Sequence, residues 1–330
     1  MLKILAKANK KEKFFALLSV LLIMLQVYLE LEIPDYMSEI TELLQMPDTV
    51  TADIWEPGLI MVGLSLASFA SAILVGFFSA RIAASLTARI RGEVFDKVMS
   101  YSANEINQFS VPSLVTRSTN DLTQIQMLIA LGLQVVLRGP IMSIWAIAKI
   151  SGQNWQWSMT TAVAVGVLLV MIGFIMYFAV PRFSKIQTLT DNLNAVTREN
   201  LTGLRVIRAY NAEEYQNKKF AKANDDLTNT QLFVNRVMGI MQPGMTLVSS
   251  SLTLVVYWSG AYLIADAAQG TEQINLFSDM VVFSSYAMQV IIGFLLMVMI
   301  FMILPRAIVS AKRINEVLDL APSIDFKEDA

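Results

Sequence analysis

Six long apolar runs dominate the pattern of hydrophobic and polar positions along this chain of 330 residues. A helix needs about 20 apolar residues to cross the hydrocarbon core of a bilayer, and each run is of roughly that length. The runs cover residues 14–33, 58–79, 128–150, 157–180, 238–264 and 276–304. The sequence therefore predicts an all-α membrane protein with six transmembrane helices, the first of which ends on the outer side at Pro34.

Two of the polar connections are too long to be simple loops, since most connections have about 4–6 residues. They cover residues 80–127 and 181–237, and their apolar residues recur every three or four positions. In the second connection this repeat resembles a coiled-coil seam that contains Asn200. We predict that each connection is a pair of antiparallel helices, a long cytoplasmic arm that continues the membrane helices. The alternative is two small soluble subdomains, for which the apolar content is low.

Lysine and arginine are distributed unevenly between the two ends of the predicted spans. The connections at residues 34–57, 151–156 and 265–275 contain none, and nearly all of the 25 basic residues lie in the other connections and the termini. Short cytoplasmic segments carry the excess of basic residues in membrane proteins. We therefore predict a multi-pass protein of the cell membrane with both termini in the cytoplasm.

The first 13 residues alternate apolar side chains with five lysines. This pattern is typical of an amphipathic helix on an anionic membrane surface. The alternative is the charged start of a signal peptide, but residues 14–33 are longer than a signal-peptide apolar region and no Ala-x-Ala site follows. The predicted organisation is thus a surface helix at 1–13 and a six-helix transmembrane domain at 14–320.

Composition removes several classes of function. The chain is 55% hydrophobic and 16% charged, and it contains no cysteine and no histidine. Disulfides, thiolate chemistry, histidine catalysis and the usual zinc sites are therefore excluded. No phosphate-binding glycine-rich motif occurs, so we predict no catalytic residue and no cofactor-binding or metal-binding residue in this chain. The net charge of −2 gives no reason to expect nucleic acid as a partner.

One face of the last span is a candidate substrate cavity. Phenylalanine and methionine recur there at helical spacing, and such side chains form adaptable apolar walls. The candidates are Phe283, Phe294, Met297 and Phe301. Ordinary packing or lipid contact is the alternative for each of them.

Arg138 is a further cavity candidate because it lies about ten residues into the third span. Charged residues at such depth usually face a water-filled cavity or an acidic partner. No acid is expected at the same depth, since Glu30, Glu32 and Asp279 are placed near the outer side. The alternative is that Arg138 reaches the inner interface or binds carbonyl groups freed by Pro140.

Three segments carry a resemblance to a known family. They read FDKVM at 95–99, LVTRSTND at 114–121 and RENLTGLRVIRAYNAEEY at 198–215. These segments closely resemble the membrane domain of ABC exporters, and the nearest likeness is to the heterodimeric multidrug exporters of bacteria. The resemblance covers essentially the whole chain, including residues 310–319.

The resemblance implies that the two arm tips are coupling helices that dock on ATP-binding domains, the second on the domain of a partner subunit. The residues of this chain that would take this role are Glu105, Asn107 and Phe109 in the first tip and Ala209, Tyr210, Glu213 and Glu214 in the second. ATP and Mg would be bound by the associated ATP-binding domains. Residues 321–330 would lead toward such a domain, which the chain lacks, and a second half-transporter would complete a heterodimer.

The predicted function is the transmembrane half of an ATP-driven exporter. It would move small amphipathic compounds, drugs or lipids, out of the cytoplasm by alternating access, within a lipid bilayer. One alternative is an ion-coupled secondary transporter, which usually places ionisable residues and broken helices at the midplane. Another is a scaffold subunit that docks partners without transporting anything. Without ATPase motifs, the chain would be an enzyme only as part of a complete translocase.

Overall fold

The computed structural model describes residues 1–46, 50–151, 154–267, 270–321 and 323. These described residues form eleven helices and no strand. The helices are α1 (Leu2–Ala6), α2 (Lys10–Gln45), α3 (Thr51–Met99), α4 (Ala103–Phe109), α5 (Val111–Ser118), α6 (Asn120–Ser151), α7 (Trp155–Thr202), α8 (Leu204–Ala209), α9 (Glu213–Gly239), α10 (Met241–Asp266) and α11 (Thr271–Asp319).

Within the described part of the chain, six helical stretches are long and apolar enough to cross a membrane. They are Lys10–Gln45, Thr51–Met99, Val111–Ser151, Trp155–Thr202, Glu213–Asp266 and Glu272–Asp319. The predicted number of spans and the all-α fold class are confirmed. Several helices are much longer than a bilayer requires, because α3, α7 and α11 have 48 or 49 residues each.

The predicted end of the first span at Pro34 is wrong. Helix α2 continues through Pro34 as far as Gln45. Proline removes one backbone donor, but membrane helices tolerate it because neighbouring groups bind the freed carbonyl. The first span can therefore extend beyond Pro34, and the acids that precede this proline lie within the helix and not at its end.

The helices fall into two compact units. The first comprises the described residues of 1–155 and 259–330, and the second comprises residues 156–258. In the first unit, α2, α3, α6 and α11 pack together, and one buried cluster joins α1, α3, α6 and α11. Its fully buried members include Ile4, Ile90, Leu122, Ile125, Ile314 and Val317.

The predicted surface helix at residues 1–13 is two elements in the structure, α1 and the first turn of α2. Ile4 is 0% exposed and belongs to the buried cluster, so this apolar side chain packs on protein. Polar contacts fix the same segment, because the Arg89 guanidinium donates to the Lys7 carbonyl at 2.8 Å and to the Glu12 carboxylate at 2.7 Å. The Lys7 ammonium also pairs with Glu93. Helix α1 is thus docked on α3.

In the second unit, α7 continues without interruption from its apolar half into its polar half. Two contacts join it to α9. The Lys219 ammonium lies 2.7 Å from the Glu199 carboxylate, and the Arg182 guanidinium lies 3.8 Å from the centre of the Phe233 ring. The hydrogen bond and charge of Lys219 lower the pKa of Glu199. These two residue pairs link α7 to α9.

Candidate functional site

The first candidate tip, α4, is held by capping contacts that include Glu105. The Glu105 carboxylate accepts hydrogen bonds from the backbone amides of Ser102, at 2.7 Å, and of Ser323, at 3.3 Å. Hydrogen bonds from Ser102 and then Ser323 lower the pKa of Glu105 to about 2. Because Glu105 is only 4% exposed, its side chain stabilises the tip itself. Asn107 is exposed on the same helix and is available to a partner.

Phe109 is also engaged within the protein. Its ring stacks on Tyr101 with centroids 6.2 Å apart, and the Arg117 guanidinium lies 4.7 Å from its centre. The Tyr101 hydroxyl donates to the Val317 carbonyl at 2.5 Å, and Arg117 pairs with Glu316 at 2.9 Å. The first tip is therefore fastened to the last turns of α11.

The second tip has a different helix from the one predicted. The resemblance implied a coupling helix around Ala209–Glu214, but the short helix is α8, Leu204–Ala209, and residues 210–212 form a turn. Asn211 has φ +49°, a left-handed conformation that ends helices and that asparagine tolerates better than most residues. Ala209 is the last helical residue, Tyr210 caps α8, and Glu213 and Glu214 begin α9.

Apolar side chains are exposed on this second tip, although the arm around it is polar. Tyr210 is 80% exposed, whereas Ile207 is the buried residue of α8. The other exposed apolar residues are Leu201, Leu204 and Val206. Glu213 and Glu214 lie in the first turn of α9, where the helix dipole favours acids, and Glu214 pairs with Lys218 one turn further on. The apolar residues, more than the acids, are suited to binding a partner.

Arg138 has an acidic partner in the membrane-spanning layer, contrary to the expectation that none lies at its depth. Its Nη2 lies 2.9 and 2.8 Å from the two carboxylate oxygens of Glu30. The Ser68 hydroxyl and the Gln26 amide also donate to Glu30, at 3.1 and 3.0 Å. The continuation of α2 beyond Pro34 explains the error, because it brings Glu30 to the middle of the helix.

A second group of polar residues lies further along the same two helices and was missed in the sequence. The Lys149 ammonium lies 3.0 Å from Glu32 and 2.7 Å from Asp35. The Tyr286 hydroxyl donates to Asp35 and lies 3.0 Å from the Leu31 carbonyl oxygen. The sequence did contain an indication of this group, because three acids occur within six positions of one apolar segment. They are Glu30, Glu32 and Asp35. Acids inside a span need partners.

The cavity candidates of the last span are placed in different environments. Phe283 is 0% exposed and is packed inside the first unit, whereas Phe294 and Met297 are partly exposed. A Cβ atom placed on Gly139 would lie 3.2 Å from Met297 Cγ, so Met297 packs next to Arg138 on α6. Phe301 lies in α11, and its side chain is outside the described part of the structure.

Helices α6 and α11 cross closely at this point. A Cβ atom on Gly293 would overlap the Ser143 hydroxyl and would lie 3.0 Å from the Gly139 carbonyl oxygen. Small residues permit such close backbone contact between membrane helices. Arg138 and Met297 therefore flank a tight crossing of two spans.

The chain is similar to a transmembrane family and to proteins that are named as ABC transporters or as ATP-dependent flippases. The family model described as the ABC transporter transmembrane region matches residues 16–295. An ABC transporter ATP-binding protein of Mycobacterium bovis is 32% identical, covering 81% of this chain and 45% of the relative. A similar protein of Bacillus subtilis is 29% identical with the same coverage. An ATP-dependent lipid A-core flippase of Pseudomonas savastanoi is 24% identical, covering 60% of this chain and 33% of the relative.

The chain spans about half the length of the first two of these relatives. The match begins inside the first candidate span, covers the next four completely and ends inside the sixth. By this match and by its fold, the chain belongs to the ABC transporter transmembrane family and has the architecture of an ABC exporter membrane domain.

Proposed function

We propose that this chain is the transmembrane half of an ATP-driven exporter that moves amphipathic compounds out of the cytoplasm by alternating access. The observation that carries the proposal is the second tip, where Tyr210, Leu204 and Val206 are exposed at the end of a polar arm. Exposed apolar groups that cluster on a polar surface mark binding sites for other proteins. In this family the partner is an ATP-binding domain, with ATP and Mg bound there. The lipid A-core flippase among the relatives supports a lipid-like substrate.

The assembly that we propose has two half-transporters, with a heterodimer as the preferred form, and two ATP-binding domains. Residues 321–330 would lead toward such a domain, although Pro322 and residues 324–330 lie outside the described residues. For the substrate cavity we retain Arg138, Phe294, Met297 and Phe301. Phe283 is buried, so it would contribute indirectly, by packing that holds this face of α11 in place.

The orientation of the chain in the membrane can be tested by cysteine labelling without background labelling, because there is no native cysteine. Single cysteines at Thr51 and Asn211 occupy exposed positions at opposite ends of the proposed spans. In intact cells, an impermeant maleimide is expected to label Thr51→Cys, while Asn211→Cys should react only after permeabilisation. Labelling of Asn211→Cys in intact cells would place the second arm outside and contradict the coupling role.

Tyr210→Ala tests the coupling role in the assembled transporter. Loss of an aromatic interface anchor costs about 2 kcal/mol, so we expect the substrate-stimulated part of the ATPase rate to fall by about tenfold or more. Basal ATPase and melting temperature should change little, because Tyr210 is exposed. The three quantities are measured on the same reconstituted sample.

Tyr262→Ala is the matched control, since Tyr262 is also an exposed tyrosine but lies near the far end of α10. It should leave the stimulated rate unchanged. A Tyr210→Ala protein with a lowered melting temperature and normal stimulation would show that Tyr210 only stabilises its own turn. Stimulation of the ATPase by substrate would also argue against a scaffold subunit.

An ion-coupled transporter is the second candidate, and the part-buried ion pairs between α2 and α6 favour it. Glu30 with Arg138, and Lys149 with Glu32 and Asp35, are ionisable groups of the kind that such transporters place in the membrane. The two functions are separated by energising proteoliposomes either with ATP or with an ion gradient. Transport driven by the gradient alone would favour this second candidate.

A further inference from the structure

An apolar groove lies where the N-terminal helices meet α3, α6 and α11. Its volume is about 430 Å³, within the range of about 300–1,000 Å³ that is usual for small-molecule sites. The walls are almost wholly apolar and include Leu5, Leu86, Leu133, Leu137 and Leu304. Glu12 and Lys13 are the charged residues among those that line it. We call it the N-terminal groove.

The groove is a fixed feature because α1, which forms one wall, is docked on the protein. Ile4 points into the buried cluster, while the next residue, Leu5, lines the groove and is 42% exposed. The contacts of Arg89 with the Lys7 carbonyl and with Glu12 hold the chain between α1 and α2. A ligand in the groove would therefore contact protein on several sides, unlike a lipid that lies against a single helix.

Some of the lysines at the N-terminus, one of which lines the groove, are not neutralised by acids. Lys3 pairs with Asp319, and Lys7 pairs with Glu93. In contrast, Lys10, Lys11 and Lys13 are exposed and form no ion pair with any described residue. The Glu12 carboxylate between them is already bound by Arg89 and Ser85. Lys13, which lines the groove, and Lys10 and Lys11 in the same first turn of α2 are therefore free to bind an anion.

The surroundings indicate what occupies it. Phe14, Leu17 and Leu21 on α2 are more than half exposed, so the helix that continues from the groove has a membrane-facing side. Lysines next to a span bind anionic lipid headgroups, and acyl chains are the apolar groups available at that level. We propose that the N-terminal groove binds one anionic phospholipid, with an acyl chain along Leu5 and Leu133 and the headgroup phosphate on Lys10, Lys11 and Lys13.

This binding can be measured independently of transport. The purified protein in detergent is titrated with phosphatidylglycerol or with phosphatidylcholine of the same acyl chains, and bound lipid is counted by native mass spectrometry. The protein is expected to retain one phosphatidylglycerol in preference to phosphatidylcholine. Lys10→Gln/Lys11→Gln/Lys13→Gln should weaken phosphatidylglycerol binding on the order of 100-fold, about fivefold for each lysine, and should abolish the preference.

A second variant tests the groove itself. Gly132 is a groove residue, and a Cβ atom there would meet Leu128 and Val136 side chains at 3.5 and 3.7 Å, which is ordinary contact. Gly132→Leu should therefore fold, fill the groove and weaken both lipids. If it does not fold, Ala8→Phe fills the groove from the turn between α1 and α2. The charge-matched control, Arg205→Gln/Lys218→Gln/Lys222→Gln on the second arm, should bind both lipids normally.

Several outcomes overturn the proposal. Equal binding of the two lipids with no effect of the N-terminal lysine substitutions would remove the headgroup site. Normal phosphatidylglycerol binding to a folded groove-filling variant would place the lipid elsewhere. Retention of a second polypeptide or of detergent, in place of a lipid, would identify a different occupant.

Discussion

Arg138→Ala is expected to lower the free energy of unfolding by about 3 kcal/mol, one of the two largest effects we predict. The substitution leaves the Glu30 carboxylate inside the membrane-spanning layer without its cation, and breaking a buried pair from one side costs about 3–5 kcal/mol. We take the lower value because the Arg138 side chain is 35% exposed within the chain. Denaturant titration of the helical signal in micelles measures the change.

The matched variant removes both charges. In Glu30→Gln/Arg138→Met no uncompensated ion remains, and the amide oxygen introduced in place of the carboxylate can still accept from Ser68 and Gln26, so most of the lost stability should return. Arg138→Lys should be intermediate, because a lysine keeps the charge but not the planar guanidinium with its several fixed donors. A double variant whose loss equals the sum of the single losses would mean that the two residues act independently.

Gly293→Ala should destabilise the protein by about 1–3 kcal/mol through overpacking at the α6–α11 crossing. The added methyl would overlap the Ser143 hydroxyl, which can rotate, but also approaches the Gly139 carbonyl oxygen at 3.0 Å and the Ser143 amide nitrogen at 3.1 Å. Those backbone atoms cannot move unless the helices separate. The same denaturant titration provides the measurement.

Gly173→Ala in α7 is the control, since a Cβ atom there would meet nothing within 4 Å among the described residues. Alanine is the better helix former, so this change should be neutral or stabilising by about 0.5–1 kcal/mol. If both glycine variants behave alike, the close crossing does not limit packing in the membrane.

The sequence predicted well those features that depend on the average hydrophobicity of a long segment. Each span requires roughly 20 apolar residues, and no local detail can hide such a run, so the number of spans and the fold class were predictable. Features that depend on a single residue were not predictable in this way. Pro34 suggested a helix end, but the helix continued, and the depth of Glu30 was misjudged in consequence.

The second tip shows the same limit on a smaller scale. Residues 208–215 have the composition of a short helix, and only the left-handed backbone at Asn211 divides them into the end of α8 and the start of α9. Ile4 is another example, because an amphipathic pattern predicts that an apolar side is covered but not by what. The structure covers it with α3 and α11 rather than lipid.

The fastening of the first tip to α11 has a mechanical consequence. Tyr101 and Arg117 join the tip to Val317 and Glu316, while the crossing at Gly293 brings the middle of the same helix against α6. At 1.5 Å per residue, Val317 lies about 36 Å and Thr271 about 33 Å along the helix from that crossing. Because α11 runs as one helix from Thr271 to Asp319, it forms a continuous connection between the first tip and the far end of the last span, and it approaches α6 closely near its middle.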